Sequence, residues 1–177
     1  MPSNADSLHH KNKGAPRRLC LRPVTLDMKA ALTHSAVAFE RLTGLVVPHG
    51  WPEFPEAFDP SFGVPPPPWG GYLFLANDRL VGNGGFVGQP DGSGVVEIGF
   101  EVAQSHRNQG HGTRAVSSLI ALAFESGATR VTAHSLAVAN ASNAIMTKAG
   151  MRFCEACPHP ELGSTWRYEI AAGDAAG

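Results

Sequence analysis

No stretch of this 177-residue chain approaches the roughly 20 consecutive apolar residues that a bilayer-spanning helix needs, so no membrane partner is expected. Residues 1–16 are polar and lack the apolar centre of a secretion signal; they read as a disordered tail ahead of one domain over residues 17–172. A surplus of basic charge is also missing. Fourteen Lys and Arg face fifteen Asp and Glu, for a net charge of −1, which removes the electrostatic case for binding nucleic acid or an anionic surface. Cysteine is scarce: three residues, an odd number, argue against a disulfide framework and fit a reducing cytoplasm. Cys154-x-x-Cys157-x-His159 has ligand-like spacing, with Cys20 as a conceivable fourth ligand. Zinc sites of that type pair two such clusters and only one is present, so no metal is expected. There is no internal repeat and no sign of a second domain, and 43% hydrophobic residues suffice for a single core.

What the chain does contain is one stretch around which the rest is arranged. Residues 95–102 (Val95, Val96, Glu97, Ile98, Gly99, Phe100, Glu101, Val102) are β-branched and aromatic enough for a buried strand. The segment from Arg107 to Gly112 is too rich in glycine and polar residues for either regular element. From Thr113 the apolar period turns helical, with Val116, Leu119, Ile120 and Ala123 on one face. Glycines at a helix start leave backbone N–H groups uncovered at the positive end of the helix dipole, which makes an anion site. Arg107 adds a positive charge at its entrance. A Walker loop is excluded because no lysine follows Gly112. Gly110-x-Gly112-x-x-Ala115 matches the loose dinucleotide pattern, but five residues separate strand from first glycine, and the strand at residues 130–135 ends without the acidic residue that would hold a ribose.

Arg107-x-x-Gly110-x-Gly112, preceded by Val96-Glu97-Ile98-Gly99-Phe100 and followed by Ser142-Asn143-Ala144-Ile145-Met146-Thr147-Lys148-Ala149-Gly150-Met151, resembles the GNAT superfamily of N-acetyltransferases, in the branch typified by the ribosomal-protein N-terminal acetyltransferases. The likeness runs over roughly residues 19–170. It implies an α+β fold: a mixed, mostly antiparallel central sheet with helices on both faces. It implies acetyl-CoA as cosubstrate, its pyrophosphate on Arg107, Asn108, Gln109, Gly110, His111, Gly112 and Thr113. The space over Gly112 is then expected to open into a solvent-filled cleft. The resemblance also implies that the strand splays from its neighbour and offers backbone groups near Phe100 and Val102 to the pantetheine arm, with an N–H near Val102 for the oxyanion. Asn140 and Asn143 belong to the same cofactor set. The branch usually has Asn where Ala139 stands, so either Asn140 substitutes or that contact is lost. Arg114 replaces a usual Glu, on a helix face expected to be solvated.

Two residues are assigned chemistry. Glu97, a carboxylate in an otherwise apolar strand, is read as the base that takes a proton from the acceptor ammonium. Glu101 shares its face by alternation, and Glu161 is a second candidate base. Ser142 aligns with a serine placed near the CoA sulfur, where a hydroxyl could protonate the leaving thiolate; a helix N-cap is the other reading.

The remaining chain reads as a strand at residues 18–23; a helix capped by Thr25 or Asp27 and stopped at Gly44; a proline-rich segment at residues 45–71; strands at 72–76 and 80–87; a strand at 130–136; a short helix closed by Gly150; and a final antiparallel pair at 152–157 and 164–170. The segment at 45–71 carries Trp51, Phe54, Phe58, Phe62 and Trp69. It is read either as aromatics packed on the core or as an acceptor wall. The function expected is acetyl transfer to a primary amine by direct attack. The alternative is a non-catalytic acyl-CoA-binding module, favoured by Ala139. The oligomeric state is expected to be monomer or homodimer.

Overall fold

The computed structural model describes residues 19–160 and 163–174. Among them, seven strands form one sheet in the order β1-β2-β3-β4-β5-β7-β6. The strands are β1 (Leu19–Pro23), β2 (Gly71–Ala76), β3 (Arg79–Phe86), β4 (Val95–Val102), β5 (Arg130–Leu136), β6 (Arg152–His159) and β7 (Gly163–Ala171). All pairings are antiparallel except β4 with β5. This is the α+β architecture expected.

The first helical segment is not one helix. α1 (Leu26–His34) stops at Ser35, whose extended backbone breaks the run while its hydroxyl accepts from the Ala38 N–H and starts α2 (Ala36–Thr43). Serine competes for backbone hydrogen bonds and so favours caps over helix interiors. Thr25, not Asp27, caps α1, and Gly44 ends α2 in the left-handed conformation. Asn77 and Asp78 both have positive φ, the form of a two-residue hairpin turn between β2 and β3.

Alternation along the strands divides the core in two. Phe74, Val96, Ile98, Val131 and Ala133 point to one face, where they pack on Val116, Leu119, Ile120 and Ala123 of α3 (His111–Glu125) and on Met146 of α4 (Ala141–Lys148). Leu73 and Leu80 point to the other, against Met28 of α1 and Phe39 of α2. Trp51 and Phe58 join this second cluster, edge to face with each other. Part of the proline-rich segment is therefore core. It holds two short 3₁₀ turns, Pro55–Phe58 and Pro60–Phe62, while Phe54 and Phe62 stay exposed.

β6 lies at the sheet's edge. It carries Arg152, Glu155 and Pro158, and its register against β7 shifts between Phe153 and Glu155. It runs to His159, two residues past the expected end.

The buried indole of Trp51 donates from Nε1 to Oδ1 of Asn83 at 2.7 Å. Asn83→Ala strands that N–H away from water, which costs about 1–3 kcal/mol. A lower urea midpoint with an unchanged m-value is the expected result.

Candidate active site

The β4–β5 ladder is short. Its register pairs Val95 with Arg130, Val96 with Val131 and Glu97 with Thr132, and there it ends, although β4 continues to Val102 and β5 to Leu136. The two strands fork. The Glu97 carbonyl accepts from Val87 and the Ala103 N–H donates to Val81, so odd-numbered residues of β4 turn their main chain toward β3. Even-numbered residues, Phe100 and Val102 among them, turn theirs into the fork. The carbonyl of Val102 receives Nε of Arg107 at 3.0 Å.

Beside the fork, α3 begins without a side-chain cap. Its N-cap is Gly110 at φ +75°, and Asn108 also has positive φ. The Arg114 N–H bonds back to Gly110. The N–H groups of Gly112 and Thr113, two and one residues earlier, belong to the first turn, which has no carbonyl ahead of it to bond. An uncapped helix start beside a left-handed glycine suits a phosphate. A fork offering main-chain donors suits an amide-bearing arm. The residues present thus fit coenzyme A.

Several placements differ from the sequence reading. A Cβ on Gly112 would lie 2.5 Å from Cδ1 of Ile145 and 3.3 Å from Cγ2 of Val102. Gly112 is a packing glycine between α3, α4 and β4, and no solvent cleft lies over it. Arg107 is not held in reserve at the loop entrance; its guanidinium pairs with Glu53 at 2.6 Å, both side chains being less than half exposed. Arg114 is not simply solvated: it folds back on the carbonyl of Gln109 and on Nδ1 of His111, and its Nε is buried. Gln109 is exposed, its amide 3.4 Å from the Ser105 carbonyl. His111 is buried.

At α4, Asn140 is the N-cap, accepting from the Asn143 N–H. Ser142 is therefore not the cap. It is half-buried in the first turn, and no hydrogen bond to its hydroxyl is found among the described residues. Asn143 is buried; its amide donates to the Val138 carbonyl and its oxygen accepts from Ser135. Its side chain ties α4 to the end of β5.

The opposite face of the fork is polar. Glu97 and Glu101 share it, as alternation requires. Oε1 of Glu97 lies 2.9 Å from Nδ1 of His134 and 3.9 Å from Nε2 of His159. A carboxylate only accepts, so Nδ1 of His134 carries the proton between them. The imidazole rings are 5.1 Å apart. His159 is the last residue of β6, which stands two places from β5 in the sheet order. The three ligand-type atoms lie within 4.8 Å of one another, the one such group among the described residues. The hydrogen bond between His134 and Glu97 already uses two of them. The Cys154-x-x-Cys157-x-His159 pattern does not assemble: Cys154 faces Arg167, Cys157 faces Thr165, and His159 turns to Glu97. His134 was missed in the sequence, although it stands at an even offset from Thr132 on a strand expected to flank the fork. Glu161 lies outside the described residues.

Glu101 is buried. Its Oε2 accepts from the Glu53 N–H at 2.9 Å, and its Oε1 has no partner. Burial pushes its carboxyl above the ordinary carboxylate value, assisted by the charge of Glu53; the Glu53 and Phe54 N–H groups and Arg107 pull the other way. The proline-rich segment thus packs on the core through Trp51 and Phe58 and reaches the polar face of β4 through Glu53.

The comparisons with known proteins bear on this arrangement. Residues 18–152, well over half of the chain, match the family described as acetyltransferase (GNAT) domain. The chain belongs to the GNAT acetyltransferase family. A 44-residue stretch is 46% identical to the uncharacterized N-acetyltransferase YjdG of Bacillus subtilis, covering 25% of this GNAT chain and only 26% of that protein. Among solved structures, Mycobacterium smegmatis RimJ in complex with CoA-disulfide superposes with a TM-score of 0.64 at 16% identity, over 90% of this chain and 84% of that one. An aminoglycoside acetyltransferase AAC(6')-Ib in complex with coenzyme A and kanamycin gives 0.64 at 19% identity, over 89% and 96%. At such identities the superpositions establish the fold. No helix among the described residues is long and apolar enough to cross a membrane.

The raised pKa of Glu101 has a measurable sign. The folded protein binds this proton more tightly than the unfolded chain does. The associated stability is complete below the ordinary value of 4.5 and is lost as pH rises through the raised value. Glu101→Gln removes that loss. The melting temperature of the variant should gain on the wild type as pH goes from about 4 to about 7; a constant difference across that range contradicts the burial argument.

Proposed function

We propose that this GNAT domain is an acetyl-CoA-dependent N-acetyltransferase that acts on a primary amine by direct attack. The observation that carries the reading is the fork between β4 and β5 opening beside the uncapped start of α3. An extended acyl-CoA would lay its pyrophosphate against the main chain of residues 108–113 and its pantetheine against Phe100 and Val102. The thioester then faces the Glu97 side of the sheet. An N–H near Val102 would receive the developing oxyanion, where a fixed donor is worth more than in water.

The chemistry is a single displacement. The acceptor ammonium gives up a proton at the cluster headed by Glu97, the neutral nitrogen attacks the thioester carbon, and the thiolate leaves. Ser142, its hydroxyl not spent on capping, is suited to return a proton to sulfur. Cys20, Cys154 and Cys157 lie away from the fork, in keeping with a route that has no acyl-enzyme. Asn140 and Asn143 would act on the cofactor through the position of α4, since their side chains are engaged within the protein. The CoA-bound aminoglycoside acetyltransferase and RimL, a ribosomal L7/L12 alpha-N-protein acetyltransferase of the same fold in complex with coenzyme A, support acceptors of either kind, a small amine or a protein N-terminus. Three free cysteines support a cytoplasmic setting, and the domain would act as a monomer or homodimer. The carboxylate–imidazole contact on the acceptor side favours catalysis over a purely CoA-binding module.

Coenzyme A at 100 times its dissociation constant should stabilise the protein by about 2.7 kcal/mol, a rise in melting temperature of roughly 5–10 °C for a chain of this size. NAD and ATP should give far less. With acetyl-CoA and a panel of amines and peptides, thiol release should accompany a product heavier by one acetyl group. Equal shifts with NAD, or thiol release without an acetylated amine, would sink the assignment.

A further inference from the structure

We propose that the proton of the acceptor ammonium is taken by Nε2 of His134, with Glu97 as the residue that positions it; this rests on the N-acetyltransfer reading above. Three strands converge here. Glu97 on β4 belongs to the last pair before the fork, with Thr132. His134 stands two residues further along β5, on the same face and at the fork's open side. His159 comes from the end of β6 and covers the pair, so that the side chains of His134, His159 and Glu97 are 15%, 18% and 31% exposed. A bare carboxylate in this position would need only a wet face. Instead Glu97 holds the Nδ1–H of an imidazole at 2.9 Å.

That contact fixes both the tautomer and the plane of the ring. With the proton on Nδ1, the lone pair is on Nε2, which is the basic atom. Taking up a proton there makes an imidazolium whose charge lies directly against the carboxylate, so the pair absorbs the charge without drawing in water. The same division of labour, a base oriented by a third group, is general for activated nucleophiles. The arrangement also accounts for Arg167, which is opposite His134 on β7 and would otherwise repel an imidazolium. Its guanidinium is directed to Glu155 at 2.9 Å and Glu169 at 3.9 Å.

One N–H bond of the ammonium breaks and its proton moves to Nε2 of His134. The freed nitrogen pair forms the C–N bond at the thioester carbon. As the C–S bond breaks, a second amine proton passes to the departing thiolate, directly or through the Ser142 hydroxyl. Amide and free thiol leave, and His134 releases its proton to solvent.

The test compares His134→Ala, His134→Gln, Glu97→Gln and the double variant Glu97→Gln/His134→Ala, each first shown to bind CoA like the wild type. Removing a general base costs about 10²–10⁴-fold in kcat. Both His134 variants should lose that much, Glu97→Gln should lose no more, and the double variant should be no worse than His134→Ala, because the two residues act as one unit. Added imidazole should restore turnover to His134→Ala. The defect should shrink with acceptors of low amine pKa that arrive already neutral. A merely structural histidine gives neither rescue nor that dependence on the acceptor. A His134→Gln enzyme within a few-fold of wild type, beside a crippled Glu97→Gln, would return the proton to Glu97 itself and overturn the inference alone. So would turnover lost to a chelator and restored by zinc. A wild-type protein that binds CoA and acetylates no amine would overturn the N-acetyltransfer reading, and this one with it.

Discussion

The structure depends on two strands that cannot stay paired. β4 is held along residues 98–102 by β3, and β5 is held along its whole length by β7. Each strand has an antiparallel neighbour to follow, and the parallel ladder between them ends at Glu97 and Thr132. Sheets twist, and a single parallel seam inside an otherwise antiparallel sheet is where two twisted halves can part most cheaply. The gap leaves main-chain hydrogen-bonding groups of β4 without a strand to bond. In a folded protein such groups are expected to find another partner, and an extended substrate arm with amides of its own is a natural one.

The fork also divides the labour between the two faces of the sheet. On one side, α3 and α4 bring an uncapped helix start, glycine packing and the Ser142 hydroxyl. On the other, α1, α2 and the proline-rich segment cover β2 and β3, while His159 at the end of β6 lies against Glu97 and His134. The uncapped helix start and the carboxylate–imidazole pair thus sit on opposite sides of one opening. The ion pair of Arg107 with Glu53 links them, because it joins the loop before α3 to the proline-rich segment on the other face.

The strand, the glycine loop and the helix of the central stretch were legible in the sequence because each carries a local signature: β-branched residues, left-handed glycine, a 3.6-residue apolar period. The same is true of Gly44 and Gly150, which end helices as expected. Most of what escaped was non-local. Ser35 divides a helix whose apolar spacing runs straight through it. Gly112 looks like an opening and is a close contact, since Ile145 approaches from 33 positions away. Arg107 meets Glu53 across a proline-rich loop whose path no periodicity reveals. Cys154, Cys157 and His159 look like a ligand set along the chain, yet a strand sends alternate residues to the same face at wide spacing, and each finds a different neighbour. His134 was invisible for the same reason: only the pairing of β5 with β4, and the approach of His159 from β6, makes it adjacent to Glu97 and His159.

The outer strand of the sheet has a bearing on how copies of the molecule meet. An exposed strand edge ordinarily recruits another through its row of unpaired amides. β6 lacks one of those amides at Pro158, kinks where its register slips at Phe153, and places Arg152 and Glu155 along its length. A ladder cannot be continued across such a margin without losing bonds and burying charge. Self-association that extends the sheet past β6 is therefore disfavoured, and a second copy meeting this margin would have to do so through side chains.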